Sequence, residues 1–217
     1  MAVPAPDSVA IPNRIIERLV LQAADIFILD ECICRGLLKC ANHPPNIGCM
    51  ALGKAVDRVH PSHGHHATKE EAVAHIRKAA EAGLVANIAH TWIDPVAFGL
   101  TRFNRLMFIC FCDDCCCLYR THMRNRGPNL DKACKSLPGL SIVRDETKCN
   151  ACMVCVDNCF VAAVQIVNDR PIITEACKGC GRCVANCPTG ALSISVANED
   201  EIFQRMMERI NQVADIT

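Results

Sequence analysis

The sequence predicts an α+β protein. It has a small Cys-rich, helical and winged-helix-like N-terminal domain at 1–135, a connector at 136–147, a compact cysteine-repeat module at 148–197 and an amphipathic C-terminal helix at 198–217. Three observations lead there. Apolar residues recur at helical spacing in two N-terminal stretches and in the tail. Short β-rich runs lie between them. A four-cysteine pattern occurs twice with a fixed period.

A chain of 217 residues suits two small units, each with a modest core. Its 23 Lys and Arg balance its 23 Asp and Glu, so no net field attracts a nucleic acid or an anionic membrane. Aromatics at 4% weaken any reading based on base stacking. Eighteen cysteines mean either a disulfide scaffold or metal ligation. The first residues, Met1-Ala-Val-Pro-Ala-Pro-Asp7, have neither a basic n-region nor an apolar h-region. Reduced thiols and a cytoplasmic location are therefore expected. The apolar run at 19–29 is broken by Gln22 and Asp25 and is too short for a membrane span.

Asn13 is placed to cap a helix carrying Ile15, Ile16, Leu19, Val20 and Ala23. Ile26-Phe27-Ile28-Leu29 reads as a strand leading into Cys32-Ile-Cys34-Arg35. Residues 41–66, with Pro44-Pro45 and a His-rich stretch, have loop composition. Thr68 with Glu71 forms a capping box for a helix with Val73, Ile76 and Ala80 on its apolar side, and Gly83 stands at the stop. Residues 84–92, ending at Trp92, read as a returning strand, which would complete a small winged-helix-like unit. The apolar segment 106–109 feeds a second cysteine cluster, and the polar, basic segment 120–135 reads as a lead into the connector. In the tail, Ile202, Met206, Ile210 and Val213 share a helical face that must dock on this chain or on a partner.

The repeat is C-x2-C-x2-C-x3-C, once as Cys149, Cys152, Cys155, Cys159 and again as Cys177, Cys180, Cys183, Cys187, with a period of 28 residues. Zinc sites prefer two separated pairs, so an unbroken run of four speaks for an iron-sulfur cluster. The run resembles the bacterial two-cluster ferredoxins. That resemblance implies a ferredoxin-like module with two 4Fe-4S clusters, one held by Cys149, Cys152, Cys155 and Cys187, the other by Cys177, Cys180, Cys183 and Cys159. Residues 163–167, Asn168-Asp169 and 171–174 read as a hairpin, with 192–196 as its counterpart. Gly179 and Gly181 would bring backbone N–H groups to the cluster sulfurs. One departure from the family pattern is Phe160, where proline is usual, while Pro188 keeps it in the second half.

Ten cysteines lie outside the repeat. Nine are candidate ligands: Cys32, Cys34, Cys40 and Cys49, enough for one further cluster, and Cys110, Cys112, Cys115, Cys116 and Cys117, which could serve another or complete the first. Neighbouring side chains diverge, so the last three should divide between centres and core. Cys134 reads as a spare thiol. This arrangement resembles the N-terminal part of ferredoxin-fused, Cys-rich proteins of anaerobes, where a further cysteine usually stands at the place of Asp113. One or two additional iron-sulfur or other metal centres are expected, against the alternative of buried thiols packing as small hydrophobes. His60, His63, His65 and His66 suit zinc or nickel but equally a solvated loop. His43, His75, His90 and His122 read as structural.

The expected function is one-electron transfer as a relay subunit or partner of an anaerobic oxidoreductase, with a redox protein as partner and no catalytic residue assigned. An alternative is a redox enzyme with a catalytic N-terminal centre, for example for disulfide reduction, in which Asp113 or Asp114 assists. A DNA-binding redox sensor ranks last, because the 69–78 helix is balanced in charge where a recognition helix would be basic.

Overall fold

A computed structural model of the chain describes residues 7–90, 98, 105–113, 115–117 and 134–217. Trp92, Asp114, His122 and most of the segment 120–135, on which expectations fell, lie outside the described residues. The fold is α+β. Its main body is a seven-stranded sheet in the order β4-β2-β3-β6-β5-β1-β7. The strands are β1 (Asp7–Ala10), β2 (Ile26–Leu29), β3 (Met50–Leu52), β4 (Gly64–His66), β5 (Val85–His90), β6 (Met107–Cys112) and β7 (Cys134–Lys135). All pairs are antiparallel except β1 with β7.

This corrects the expectation of a helical, winged-helix-like N-terminal unit. The 68–92 helix and strand do form, but β5 is an inner strand between β1 and β6. Segments of only three or four residues, such as β3 and β4 inside the stretch expected as loop, are too short to announce themselves by periodicity and are stabilised by their ladder neighbours.

α1 (Asn13–Gln22) buries Ile15, Ile16, Leu19 and Val20. Its cap is Pro12, in extended conformation and without a side-chain cap bond; Asn13 is the first helical residue. The proline's fixed φ sets the entry angle that Asn13 was expected to set. α3 (Lys69–Glu81), which follows the short α2 (Ile33–Leu37), has the predicted capping box: Thr68 Oγ1 accepts from Glu71 N at 3.2 Å, and Glu71 Oε2 accepts from Thr68 N at 2.7 Å. Gly83, at φ +73°, ends it.

The sheet has two buried faces. On one, Ile26, Ile28, Met50, Leu52, Ile88, Met107, Ile109 and Phe111 pack with α1, α3 and the C-terminal helix α6 (Glu199–Asn211). On the other, Phe27, Leu29, Ala51 and Phe108 pack with the 3-10 turn Lys54–Arg58, and Cys49 and Cys110 lie against this second cluster. The pleat explains the division, since Phe111 faces one side of β6 while Cys110 and Cys112 face the other.

α6 settles the question left by its amphipathic pattern. Ile202, Phe203, Met206, Met207 and Ile210 are buried in the chain's own core. Arg14 and Arg18 pair with Glu199 and Asp200 at 3.0 and 2.8 Å, and Arg18 lies over the Phe203 ring at 4.3 Å. The apolar face is thus buried on this chain, the first of the two alternatives its pattern left open. Val213 stands beyond the helix end and is exposed.

In the C-terminal part, β9 (Val164–Val167) and β10 (Arg170–Ile173) form the predicted hairpin, with Asn168 and Asp169 both left-handed at its turn. β11 (Leu192–Val196) pairs with β8 (Leu140–Arg144), which lies in the expected connector. Leu140, Ile194 and Val196 also touch the main core, so this small module sits directly on the larger sheet.

Candidate metal centres

The two cysteine runs share one backbone design. Left-handed residues occur at Ala151, Met153 and Ala162 in the first and at Gly179, Gly181 and Gly190 in the second, each 28 residues later. The first two of each set curl the run before the short helices α4 (Val154–Asp157) and α5 (Arg182–Ala185), which carry Cys155 and Cys183, and the third lies beyond the helix, after Cys159 or Cys187. The second run has glycine where the first has Ala151, Met153 and Ala162 in the same left-handed conformation, and side-chain ends crowd two of those glycines. A Cβ at Gly179 would stand 2.2 Å from Leu140 Cδ2, and one at Gly181 would stand 2.9 Å from Ile194 Cδ1.

Cys149, Cys152 and Cys155 line one cavity together with Cys187 from the other repeat, bounded by Pro171, Pro188 and Leu192. Burial raises the Cys155 thiol, and the nearby Cys152, Cys149 and Cys187 raise it further. Cys159 crosses the other way. Burial pushes Cys180 and Cys183 up to about 12, and Cys159 is among the charges adding to that rise in both. Cys177 is also raised, by burial and then by Cys159. Cys187 is held below its usual value: burial opposes this, but Thr189 and the backbone N–H groups of Leu192, Thr189 and Ala191 outweigh it.

Backbone amides reach these sulfurs directly, Ala163 N to Cys159 Sγ at 3.0 Å and Gly179 N to Cys177 Sγ at 3.4 Å. Two sets of four thiols, each with amide donors on sulfur, fit the requirements of 4Fe-4S clusters.

The nine N-terminal candidates do not group as sequence order suggests. Cys32 is held well below its usual value by hydrogen bonds from Cys34 and Cys49, with burial opposing. Cys49 is pushed up because it donates to Cys110 and Cys32 and is buried. Cys32, Cys34, Cys49 and Cys110 thus form one connected set. Cys112 bonds to Cys117, and that bond is the first cause of its raised value, ahead of burial.

Cys40 departs from its sequence neighbours. Its Sγ lies 3.1 Å from that of Cys115, and Cys116 Sγ is 3.6 Å from Cys115. Among the described residues, Cys40, Asp113, Cys115 and Cys116 are the set whose donor atoms all lie within 4.8 Å of one another. That compactness suits one tetrahedral ion with bonds of about 2.3 Å to sulfur.

Two residues organise these loops, and sequence reasoning did not assign either role. Arg35 is buried. It donates to the carbonyls of Pro44 (2.8 Å), Phe111 (2.8 Å) and Ile47, and Nη1 reaches Asp113 Oδ2 at 3.4 Å. Asp113 Oδ1 accepts from the backbone N–H groups of Cys115 (2.9 Å), Cys116 (2.5 Å) and Cys117 (3.0 Å). Burial would raise the Asp113 carboxyl, but these three amides and Arg35 hold it below the usual range. Asp113 therefore shapes the Cys115–Cys117 turn, and one oxygen is fully occupied in doing so. The only sequence signal was its position between cysteines.

Phe160, the departure from the proline pattern, is buried with Ala10, Val85, Cys112 and Cys117, and Cys180 packs on the same cluster. It joins the repeat module to the N-terminal thiols.

The His-rich stretch has separate roles. His60 Nδ1 accepts from Ser62 N at 3.2 Å at the head of a 3-10 turn, and His63 packs edge-on to Phe98 at 5.4 Å. On β4, His65 and His66 pair with Asp30 (3.5 Å) and Asp25 (3.2 Å) respectively. They do not converge on one point.

A model of a 4Fe-4S binding domain matches residues 170–193, which include the second cysteine run. This part of the chain is an iron-sulfur, ferredoxin-like module. No curated protein matches the chain. Among the described residues, no helix is long and apolar enough to cross a membrane.

Proposed function

We propose that this chain is an electron-transfer protein of the cytoplasm that carries two 4Fe-4S clusters, one held by Cys149, Cys152, Cys155 and Cys187, the other by Cys177, Cys180, Cys183 and Cys159. The observation that carries the reading is the exchange between repeats, Cys187 lining the cavity of the first run and Cys159 standing among the thiols of the second. Such clusters accept and release single electrons without making or breaking bonds to substrate. The chain's own part is to hold the sulfurs, to aim amides at them and to keep water from Cys155 and Cys183, both buried.

The N-terminal unit makes the chain a relay instead of a free shuttle, in the manner of the Cys-rich, ferredoxin-fused proteins of anaerobes. Its thiols hold at least one further metal centre, and the Cys180–Phe160–Cys112/Cys117 packing gives direct proximity between the two units. Cys40, Cys115 and Cys116 are suited to a single ion. The partner is another redox protein, such as an oxidoreductase subunit.

Anaerobic purification followed by iron, acid-labile sulfide and electron paramagnetic resonance analysis tests this. About eight iron atoms with matching sulfide are expected from the C-terminal module, rising to about twelve to sixteen with N-terminal clusters. A colourless protein containing zinc and no sulfide refutes it.

A further inference from the structure

Asn87 is completely buried, and among the described residues neither Oδ1 nor Nδ2 has a hydrogen-bond partner. Burying an amide without a partner is costly, and polar groups left so usually mark a missing one. Its position shows where that partner belongs. In the β5–β6 ladder Asn87 stands directly opposite Cys110, so the two side chains share one face of the sheet. That face is the one on which Cys49 and Cys110 pack, while Ala86 and Ile88 turn to the opposite core. Met50 faces Ile109 in the β3–β6 ladder, which sets the preceding Cys49 opposite Cys110 on this face. Leu29 N donates to the Cys49 carbonyl at 2.9 Å at the end of β2 that leads to Cys32, and Cys32 lies close to both Cys49 and Cys34. Four thiols from three separate stretches therefore meet beside an amide with nothing to bond.

We propose that Cys32, Cys34, Cys49 and Cys110 hold a third iron-sulfur cluster and that Asn87 is its positioning residue, donating Nδ2–H to a cluster or ligand sulfur. This rests on the electron-transfer reading and deepens it. It also replaces the ligand set 32, 34, 40 and 49 suggested by sequence order, because Cys40 is drawn away to Cys115. An N–H bond to sulfur favours the more negative, reduced state, so Asn87 raises the potential of this centre relative to a variant lacking it.

The test uses the full chain, purified without oxygen, in five forms: wild type, Cys49→Ser, Cys110→Ser, Cys40→Ser and Asn87→Leu. In the two serine variants at 49 and 110, iron falls by about four atoms per chain and one paramagnetic signal is lost, while the ferredoxin signals persist. Cys40→Ser keeps that signal. Asn87→Leu keeps the iron but moves the midpoint potential of this one centre to a more negative value. Iron-stripped Asn87→Leu is more stable than iron-stripped wild type, because two orphaned atoms are gone.

Full iron in both Cys49→Ser and Cys110→Ser overturns the assignment, as does loss of the signal in Cys40→Ser but not in Cys110→Ser. An unmoved potential in Asn87→Leu overturns the role of the amide. Wild-type protein with about eight iron atoms and intact ferredoxin signals refutes this inference alone; wild-type protein without sulfide refutes the electron-transfer reading beneath it.

Discussion

Replacing Arg35 by methionine keeps the aliphatic stem and removes the charge and every donor. Both members of its pair with Asp113 are shut off from water, with side-chain exposures of 0% and 1%. Breaking a buried pair on one side costs about 3–5 kcal/mol, because the remaining charge stays buried. Here Asp113 keeps its three amide bonds, which places the cost of the pair near the lower end. The carbonyls of Pro44, Ile47 and Phe111 also lose their donor, at about 1 kcal/mol each before relaxation or water entry. A total of about 5 kcal/mol follows, a fall in Tm of about 10–20 °C for a chain of this size. Anaerobic thermal unfolding followed by far-ultraviolet circular dichroism, at matched scan rates, measures it. Asp113→Asn and the double variant complete a cycle whose coupling should be at least about 1 kcal/mol. A loss below about 1 kcal/mol in Arg35→Met, or strict additivity in the cycle, would show that the buried pair does not hold the two cysteine loops together.

Phe160→Ala should cost about 3–5 kcal/mol and slow electron exchange between the C-terminal and N-terminal centres while leaving cluster content unchanged; unchanged stability and exchange would refute the bridging role. Gly48→Ala would place a Cβ 1.9 Å from the Leu29 carbonyl oxygen, so a loss of about 1–3 kcal/mol is expected with disturbance at Cys49, read by denaturation and by the paramagnetic signal. His75 titrates below its ordinary 6.5, chiefly through burial, with Lys78, His65 and Arg35 adding and the bond to the Gly48 carbonyl opposing. The unfolded chain then binds the proton more readily than the folded one, so the contribution of His75 is complete above pH 6.5 and is lost as pH falls from there toward its folded value. Denaturation between pH 7.5 and 5.5 should show this slope in wild type and a flatter one in His75→Gln; equal slopes would count against it.

The C-terminal module was legible because its information is local. A loop of cysteines with two or three residues between them, two left-handed turn residues at Asn168-Asp169 and a 28-residue repeat each act within one short stretch of chain. The same holds for the capping box at Thr68 and for the apolar stripes of α1 and α6. What α6 packs against was not legible, since an amphipathic pattern shows that a face is buried without showing by what. The sheet was missed for a related reason: β3 and β4 are three residues each and exist through their neighbours, so the N-terminal part read as helical.

The grouping of the N-terminal cysteines belongs wholly to the tertiary structure. Sequence determined that many thiols lie near 32–49 and 110–117, at spacings suited to metal. Only the ladder register put Cys110 beside Cys49 and opposite Asn87, and only the Asp113 turn carried Cys115 and Cys116 to Cys40. Ligand sets that cross between strands depend on pleat and register, and a shift of one residue would turn each side chain to the opposite face.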